Sequence, residues 1–328
     1  MRAALYRRTG PAAEVLEIVE LPDPAPGPGE VLVRIMASGI NPADVKRRAG
    51  WGGMAMGHPA IVPHCDGAGV IEAVGPGVPE ARIGQRVWLW NAQGGYGTAG
   101  RAYGTAAERI AISGDQAVPL PEMLGFEEGA CLGVPAMTAH RTVFADGPVA
   151  GLTVLVQGGA GAVGNLAVQM ARLGGARVIA TVGGPEGAAH AGAAGAEVID
   201  RRREDVAARV MAMTGGAGVD RVVEVDFAAN SAIDAAVLKP NGWVASYSSS
   251  SDPTPVLPYY AFQSKGLNLH FVQGFNLPVA ARDAAQRFVA DHAGALRIAI
   301  GARFPLDRIA EAHARVEAGG VGNTVVLP

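Results

Sequence analysis

Two cysteines, Cys65 and Cys131, are all that the 328 residues supply, and they lie far apart. A disulfide framework and a four-cysteine structural zinc loop are thereby excluded, and neither cysteine falls in a metal or redox spacing. The default is a reduced intracellular chain. Long apolar runs are missing too. Hydrophobic residues make up 49% of the chain, but much of that is alanine, and no stretch approaches the ~20 apolar residues of a membrane helix. The opening MRAALYRRTGPAAEVLEIVE has no long apolar core ahead of a small-residue cleavage site, so no secretory signal is read and a cytoplasmic location is expected. Positive charge is in no excess either. The formal charge is -3, and the basic runs at 46–48 and 201–203 are too short to make a nucleic-acid footprint. Neither a membrane nor a nucleic acid is expected as a partner.

The length allows two lobes, each with its own core. Up to about residue 124 the chain is rich in glycine, proline and short β-like runs such as EVLVRIMA, AGVIEAVG and RVWLWN. From about residue 151 strand-like and helix-like segments alternate: TVLVQ then NLAVQMARLG, ARVIAT then an alanine-rich stretch, EVID then REDVAARVMAMT, DRVVEV then NSAIDAAVLK. Alternation of this kind predicts a parallel sheet covered by helices on both faces, so the fold class is α/β with a mostly β lobe in front. No repeat of fixed period is present. A polar helix (ARDAAQRFVADH) and a last strand (NTVVLP) close the chain, and this tail is placed to rejoin the first lobe.

Between the strand TVLVQ and the helix that follows stands GAGAVG, a G-x-G-x-x-G pattern. Gly159 is read as the tight turn, Gly161 as the close approach of backbone to a pyrophosphate, and Gly164 as the contact that packs helix on strand. The amides of Ala160, Gly161, Ala162 and Val163 then face phosphate. A plain tight turn is the alternative in a chain this rich in glycine and alanine. The strand–loop–helix context favours the cradle.

The next strand, ARVIATVGG, lacks the acid that would hold the ribose hydroxyls of NAD; Thr181, Gly183 and Gly184 stand there instead. A carboxylate would repel a 2′-phosphate, so its absence favours NADPH. Arg201 is the cation placed near that phosphate, with His190 as second candidate. The alternative is that residues 201–203 merely begin an exposed helix.

Together with this loop, SGINPADVKRRAG (38–50), VPHCDGAGVIEAVG (62–75), GQRVW (84–88), GTAAE (104–108), GVPAMTAHRT (133–142) and the closing FPLDRIAEAHARVEAGGVGNTVVLP resemble the medium-chain dehydrogenase/reductase superfamily, most closely its zeta-crystallin-like quinone oxidoreductases. The resemblance spans essentially the whole chain. It implies a GroES-like catalytic domain over 1–125 to which 266–328 returns, a Rossmann-type doubly wound cofactor domain over 126–265, and a homodimer or homotetramer joined through the cofactor domains. Zinc-dependent members carry ligands where this chain has Asn41, Cys65 and Val134, so no catalytic zinc is expected. His58, His64 and Cys65 match no metal-site spacing and are read as loop or core residues.

Without a Lewis acid a simple alcohol is a poor substrate. An acceptor with its own electron sink, a quinone or an α,β-unsaturated carbonyl, remains suitable. The resemblance puts Asn41, Asp44 and Thr138 near the nicotinamide, although Asn41 also reads as a turn and Thr138 as a helix cap. Lys46 replaces the tyrosine often found there and offers a donor or positive charge to a quinone oxygen. Ser246, Tyr247 and Ser248 follow a strand at the sheet edge where such cofactors bind. Phe271 and Val272 line the nicotinamide pocket or pack in the core, and Asn230 lies near the adenine side. Ala189 departs from the lysine often present for the 2′-phosphate. Trp51, Trp88, Trp90, Tyr96 and Tyr103 shape an aromatic cleft or, more in keeping with scattered aromatics, fill the core. The expected activity is zinc-independent NADPH:quinone reduction. The alternatives are enal or enone reduction with NADPH, and a non-catalytic NADPH-binding sensor or RNA-binding protein.

Overall fold

A computed structural model describes residues 1–94 and 100–328; Tyr96 lies outside the described residues. The chain divides into two compact units, Met1–Pro135 with Pro278–Pro328, and Ala136–Leu277. The divisions fall somewhat beyond the expected 125 and 265, for local reasons. The amide of Val134 is bonded to Asp66 of the first unit, and Asn268–Phe271 is paired into the sheet of the second.

The first unit opens with an antiparallel pair, β1 (Arg2–Leu5) and β2 (Glu17–Glu20). Then come β3 (Glu30–Ile40), β4 (Asp66–Val74), β5 (Arg86–Leu89), β6 (Arg109–Ser113) and β7 (Ala117–Pro119). Helix α1 (Pro42–Ala49) follows β3. Alternation along β3 buries Val31, Val33 and Ile35 while Arg34 and Met36 face outward. Those three pack with Ile71, Val87, Leu89, Ile110 and Ile112 into one apolar core. A period of two with one buried face is the pattern of an antiparallel sheet.

Helix α2 (Gly133–Phe144) spans the division between the units. In the second unit β8 (Thr153–Val156), β9 (Arg177–Val182), β10 (Glu197–Asp200), β11 (Val219–Glu224), β12 (Leu238–Ser246) and β13 (Asn268–Phe271) form a six-stranded sheet in the order β10-β9-β8-β11-β12-β13. All five pairings are parallel. Between the strands lie α3 (Ala162–Leu173), α4 (Pro185–Ala193), α5 (Val206–Met213) and α6 (Phe227–Val237). Val154, Leu155 and Val156 are all fully buried, as are Val178 to Val182. Such unbroken burial follows from a sheet covered on both faces. The strand order reverses between β8 and β11, the place where doubly wound sheets bind ligands beyond the carboxyl ends of their strands.

The chain then returns through α7 (Val279–His292), β14 (Ile300–Pro305), α8 (Ile309–Ala318) and β15 (Asn323–Leu327). β15 pairs with β3 and completes the sheet β14-β15-β3-β4-β5-β7, with β6 also paired to β3. The α/β class, with a mostly antiparallel GroES-like unit and a parallel Rossmann-like unit, is the one the sequence predicts.

Candidate functional site

In the first unit a buried polar cluster surrounds the start of α1. Asn41 is the residue before the helix, in extended conformation, with Pro42 at the first helical position. The Asp44 carboxylate reaches back to the Asn41 amide (2.8 Å) and also accepts from the Cys65 amide (3.2 Å). Asp44 thus supplies one of the helix's orphan donors with an acceptor. The Asn41 side chain turns elsewhere: its Nδ2 donates to Asp66 Oδ2 (2.7 Å), which also accepts from the Val134 amide (2.7 Å). Asp66 is fully buried. Burial first, then the charge of Asp44, pushes its pKa up to about 8, against the pull of Asn41 and the Val134 amide. A Cβ on Gly133 would lie 2.1 Å from Asp66 Oδ1, so only glycine lets the chain pass this close to the carboxyl.

The three positions 41, 65 and 134 are therefore organised around two carboxyls. Val134 has no side-chain donor atom, and Asn41 spends its amide on Asp66. Burial and the Asp44 charge drive the Cys65 thiol pKa well up, which keeps it protonated. This donor set does not fit a zinc ion, which takes thiolate, imidazole and carboxylate ligands. Among the described residues no three His, Cys, Asp or Glu side chains are grouped to hold a metal. His64 lies at φ 78° and contacts Ser38 Oγ (2.8 Å) and His313 Nε2 (2.9 Å). His58 contacts the Gly100 carbonyl (3.1 Å).

Lys46 holds its ammonium 4.6 Å from the centre of the Trp51 ring, a cation–π contact. Trp88 and Trp90 are buried, so they belong to the core rather than to an open cleft, whereas Tyr103 is exposed.

In the second unit the glycine loop joins β8 to α3, as its sequence predicts, but the glycines divide the work differently. The left-handed position is Gly158 (φ 72°), outside the G-x-G-x-x-G pattern, while Gly159 lies inside the turn that the Gly161 amide closes on the Gly158 carbonyl (3.0 Å). Gly159 is needed for another reason: a Cβ there would lie 2.6 Å from the Ala180 methyl on β9. Gly164 does allow the helix to pack closely, since its Cβ would meet the Gly158 carbonyl at 2.2 Å. Gly161 precedes the first turn of α3, and no side chain caps the amides of Ala162, Val163 and Gly164. Uncapped amides at a helix start, carrying the positive end of its dipole, fit a phosphate.

At the end of β9, Gly183 faces two guanidinium groups. A Cβ there would lie 3.3 Å from Arg202 Nε and 3.6 Å from Arg201 Nη2. Arg201 was expected; Arg202 was not. Arg203 turns away to Asp200 (3.7 Å). Two cations thus sit where an NAD-selective sheet carries an acid.

Thr181 is buried on β9 and acts on the loop, its Oγ1 accepting from the Gly158 amide (3.0 Å). Asn230 faces inward, donating from Nδ2 to Glu224 Oε1 (3.0 Å). Ser246 is buried with its hydroxyl on the Ser248 carbonyl (3.3 Å), and the Tyr247 amide donates to Glu224 O (3.1 Å). Burial and Glu224 raise the Tyr247 pKa, so the phenol stays neutral. Thr138, buried on α2, sits against Gly274, whose Cβ would fall 2.3 Å from the threonine Oγ1. Val272 is buried beside this loop, whereas Phe271 is 70% exposed and meets Phe227 edge-on. The expected residues thus fall into two sets: Asn41, Asp44 and Lys46 in the first unit, Thr138 and the cofactor residues in the second. Sequence reading missed Asp66, Gln157, Gly158, Arg202, Glu224 and Asp234. Asp66, Gln157 and Gly158 stood inside or beside a motif, and Arg202 inside the basic run 201–203.

Residues 27–122 match the alcohol dehydrogenase GroES-like domain family, and residues 162–288 match the zinc-binding dehydrogenase family. A quinone oxidoreductase from Lama guanicoe is 31% identical over 338 residues, covering 100% of this chain and 97% of that protein. The chain belongs to the medium-chain dehydrogenase/reductase superfamily. A second relative is a 2-haloacrylate reductase from a Burkholderia species, 30% identical, with 100% of this chain and 99% of that protein covered. Among solved structures, an NAD-dependent alcohol dehydrogenase superposes with a TM-score of 0.87 at 31% identity over 100% of both chains. A mycobacterial protein solved in complex with NADPH gives 0.85 at 32% identity, again over 100% of both. As a member of this superfamily the protein is an oxidoreductase, and among its described residues no helix is long and apolar enough to cross a membrane.

Proposed function

We propose that the protein reduces quinones with NADPH and without zinc. The observation that carries this reading is the Asp66 cluster: the residues at the superfamily's zinc positions are a carboxamide, a protonated thiol and a valine, two of them bonded to one buried carboxyl. A site without a Lewis acid favours an acceptor that takes up negative charge itself. The bound cofactor supplies the hydride. The protein supplies orientation, a dry pocket and a few charges.

NADPH is favoured over NADH by Arg201 and Arg202 beside Gly183, at the site of the missing acid. The uncapped amides of α3 suit the pyrophosphate. Thr138 and Val272 are assigned to the nicotinamide end, and Lys46 to the oxygen on which charge develops. Asp44 and Asp66 act by holding Asn41. In the same reading the protein is a cytoplasmic homodimer or homotetramer. One edge of β13 is unpaired among the described residues, and the exposed Phe271 lies on it.

Reduction of conjugated carbonyls is the second reading, supported by the haloacrylate-reducing relative. A panel of quinones and enones with NADPH and NADH, each with and without chelator, separates the two. The main reading requires chelator-resistant, quinone-dependent oxidation with NADPH preferred. Turnover with enones alone moves the function to double-bond reduction. Tight NADPH binding without turnover on any acceptor supports a sensing role, and activity restored only by zinc refutes the metal-free site.

A further inference from the structure

Beneath the glycine loop runs a continuous hydrogen-bonded chain of buried groups. The Gly158 amide donates to Thr181 Oγ1 (3.0 Å), the Thr181 hydroxyl donates to Gln157 Oε1 (2.8 Å), and Gln157 Nε2 donates to Asp234 Oδ1 (3.0 Å). Asp234, on α6, lies with its carboxyl against that of Glu224 at the end of β11, and each carboxyl keeps one buried oxygen that no donor satisfies among the described residues. The Asn230 side chain (3.0 Å) and the Asp226 amide donate to Glu224 Oε1. Both carboxyls are fully buried.

No N–H or O–H group from elsewhere reaches Asp234 Oδ2 or Glu224 Oε2 among the described residues. Two carboxyl oxygens attract each other only with a proton between them. The other titratable groups facing the pair offer no neutralising charge. The Asp226 carboxyl accepts from the Ser251 amide (3.1 Å) and hydroxyl (2.8 Å). The Tyr247 phenol is neutral. No cation makes an ion pair with either carboxyl among the described residues. Burial raises the pKa of both acids; the charge of Glu224 adds to the rise at Asp234, whereas the Asp234 contact pulls the Glu224 pKa down. Gln157 directly follows β8 and Glu224 ends β11, so this chain of groups lies at the reversal of strand order.

We propose that Asp234 holds a proton, which it donates to Glu224, and that this proton-bridged pair is a positioning element keeping the Gly158 turn in its cofactor-binding shape. The role in binding rests on the NADPH reading above; the proton itself does not. Loss of the proton sets two buried carboxylates against each other, displaces Gln157, and loosens the turn through Thr181.

The test compares the intact protein with Asp234→Asn and Thr181→Val, reading NADPH affinity against pH and the infrared carbonyl stretch of a protonated carboxyl. Linkage to one proton makes wild-type affinity level at low pH and lowers it by at most about tenfold per pH unit above the pair's pKa. The introduced carboxamide retains a donor for Glu224 and an acceptor for Gln157, so Asp234→Asn keeps neutral-pH affinity within about threefold and abolishes the alkaline fall. Thr181→Val weakens binding about tenfold at neutral pH and flattens the alkaline fall, because it cuts the link while leaving the pair intact. One protonated-carboxyl band present in wild type and Thr181→Val is lost in Asp234→Asn, while the band of Asp66, which Asp66→Asn removes, stays. No carboxyl band lost between wild type and Asp234→Asn, or an alkaline fall that survives in Asp234→Asn, overturns the proposal. Absence of dinucleotide binding at any pH refutes the NADPH reading instead, and the infrared band still decides whether the proton is there.

Discussion

Replacing Gly183 by aspartate tests the cofactor assignment at one point. Gly183 has an ordinary backbone conformation, and the atoms nearest a new Cβ are the guanidinium ends of Arg202 (3.3 Å) and Arg201 (3.6 Å). Flexible side chains yield easily, so the fold tolerates the change. The new carboxylate then pairs with the two cations and stands where a 2′-phosphate would approach. Opposite charges about 4 Å apart near a protein surface interact by about 4 kcal/mol. Solvent and salt reduce the net effect to about 1–3 kcal/mol, which corresponds to a loss of about 10- to 100-fold in NADPH affinity. NADH, lacking the phosphate, loses little, and its ribose hydroxyls gain an acceptor. Fluorescence titration of both dinucleotides, with kcat/KM for each, reads the change in preference. Equal losses for NADPH and NADH would show that Gly183 matters for backbone shape rather than for the phosphate, and no loss for either refutes the assignment of Arg201 and Arg202.

Further outcomes follow from the first unit and from α4. Asp66 has its pKa raised to about 8 in the folded protein. Its contribution to stability is therefore full below the ordinary carboxylate range and declines as pH rises toward about 8. Denaturant unfolding of Asp66→Asn across that window lacks this decline, and an unchanged pH profile refutes it. Gly133→Ala forces a methyl onto Asp66 and costs about 1–3 kcal/mol by overpacking, measured by thermal unfolding. Gly192→Ala, on α4 with no atom closer than 4.0 Å to the new Cβ, stabilises the protein by up to about 1 kcal/mol and serves as the control.

What the sequence made legible was local. The run TVLVQ, the glycines after it and the amphipathic segment beyond fix a strand, a turn and a helix by short-range chemistry, and the structure has all three. The lack of an acid after ARVIAT was equally readable. Which arginine stands there was not: side chains 201, 202 and 203 are adjacent in sequence, and only the turn after β10 sends two toward Gly183 and the third to Asp200. The left-handed glycine was not legible, because the pattern starts at Gly159, inside the turn, whereas positive φ falls at Gly158. Glu224 and Asp234 look in sequence like ordinary surface acids. Their burial depends on β8, β9, β11 and α6 meeting at one place, and no local pattern encodes that.

The two buried acidic clusters differ in a way that composition hides. Asp66 receives donors from Asn41 and Val134, which partly support its ionised form against burial and the charge of Asp44, and its pKa stops near 8. Asp234 receives one donor, from Gln157, and its other oxygen faces Glu224. A second ionised carboxylate there has nothing to compensate it, and the low-dielectric interior makes that costly. The first cluster is thus suited to fixing the Asn41 side chain in either protonation state. The second is suited to fixing a loop only while it keeps its proton. Raising the pH should therefore affect the cofactor loop and the Asn41 cluster separately, and Asp66→Asn should leave the alkaline dependence of NADPH affinity unchanged while Asp234→Asn removes it. Loss of that dependence in Asp66→Asn would mean that the proton controlling the loop resides in the other unit.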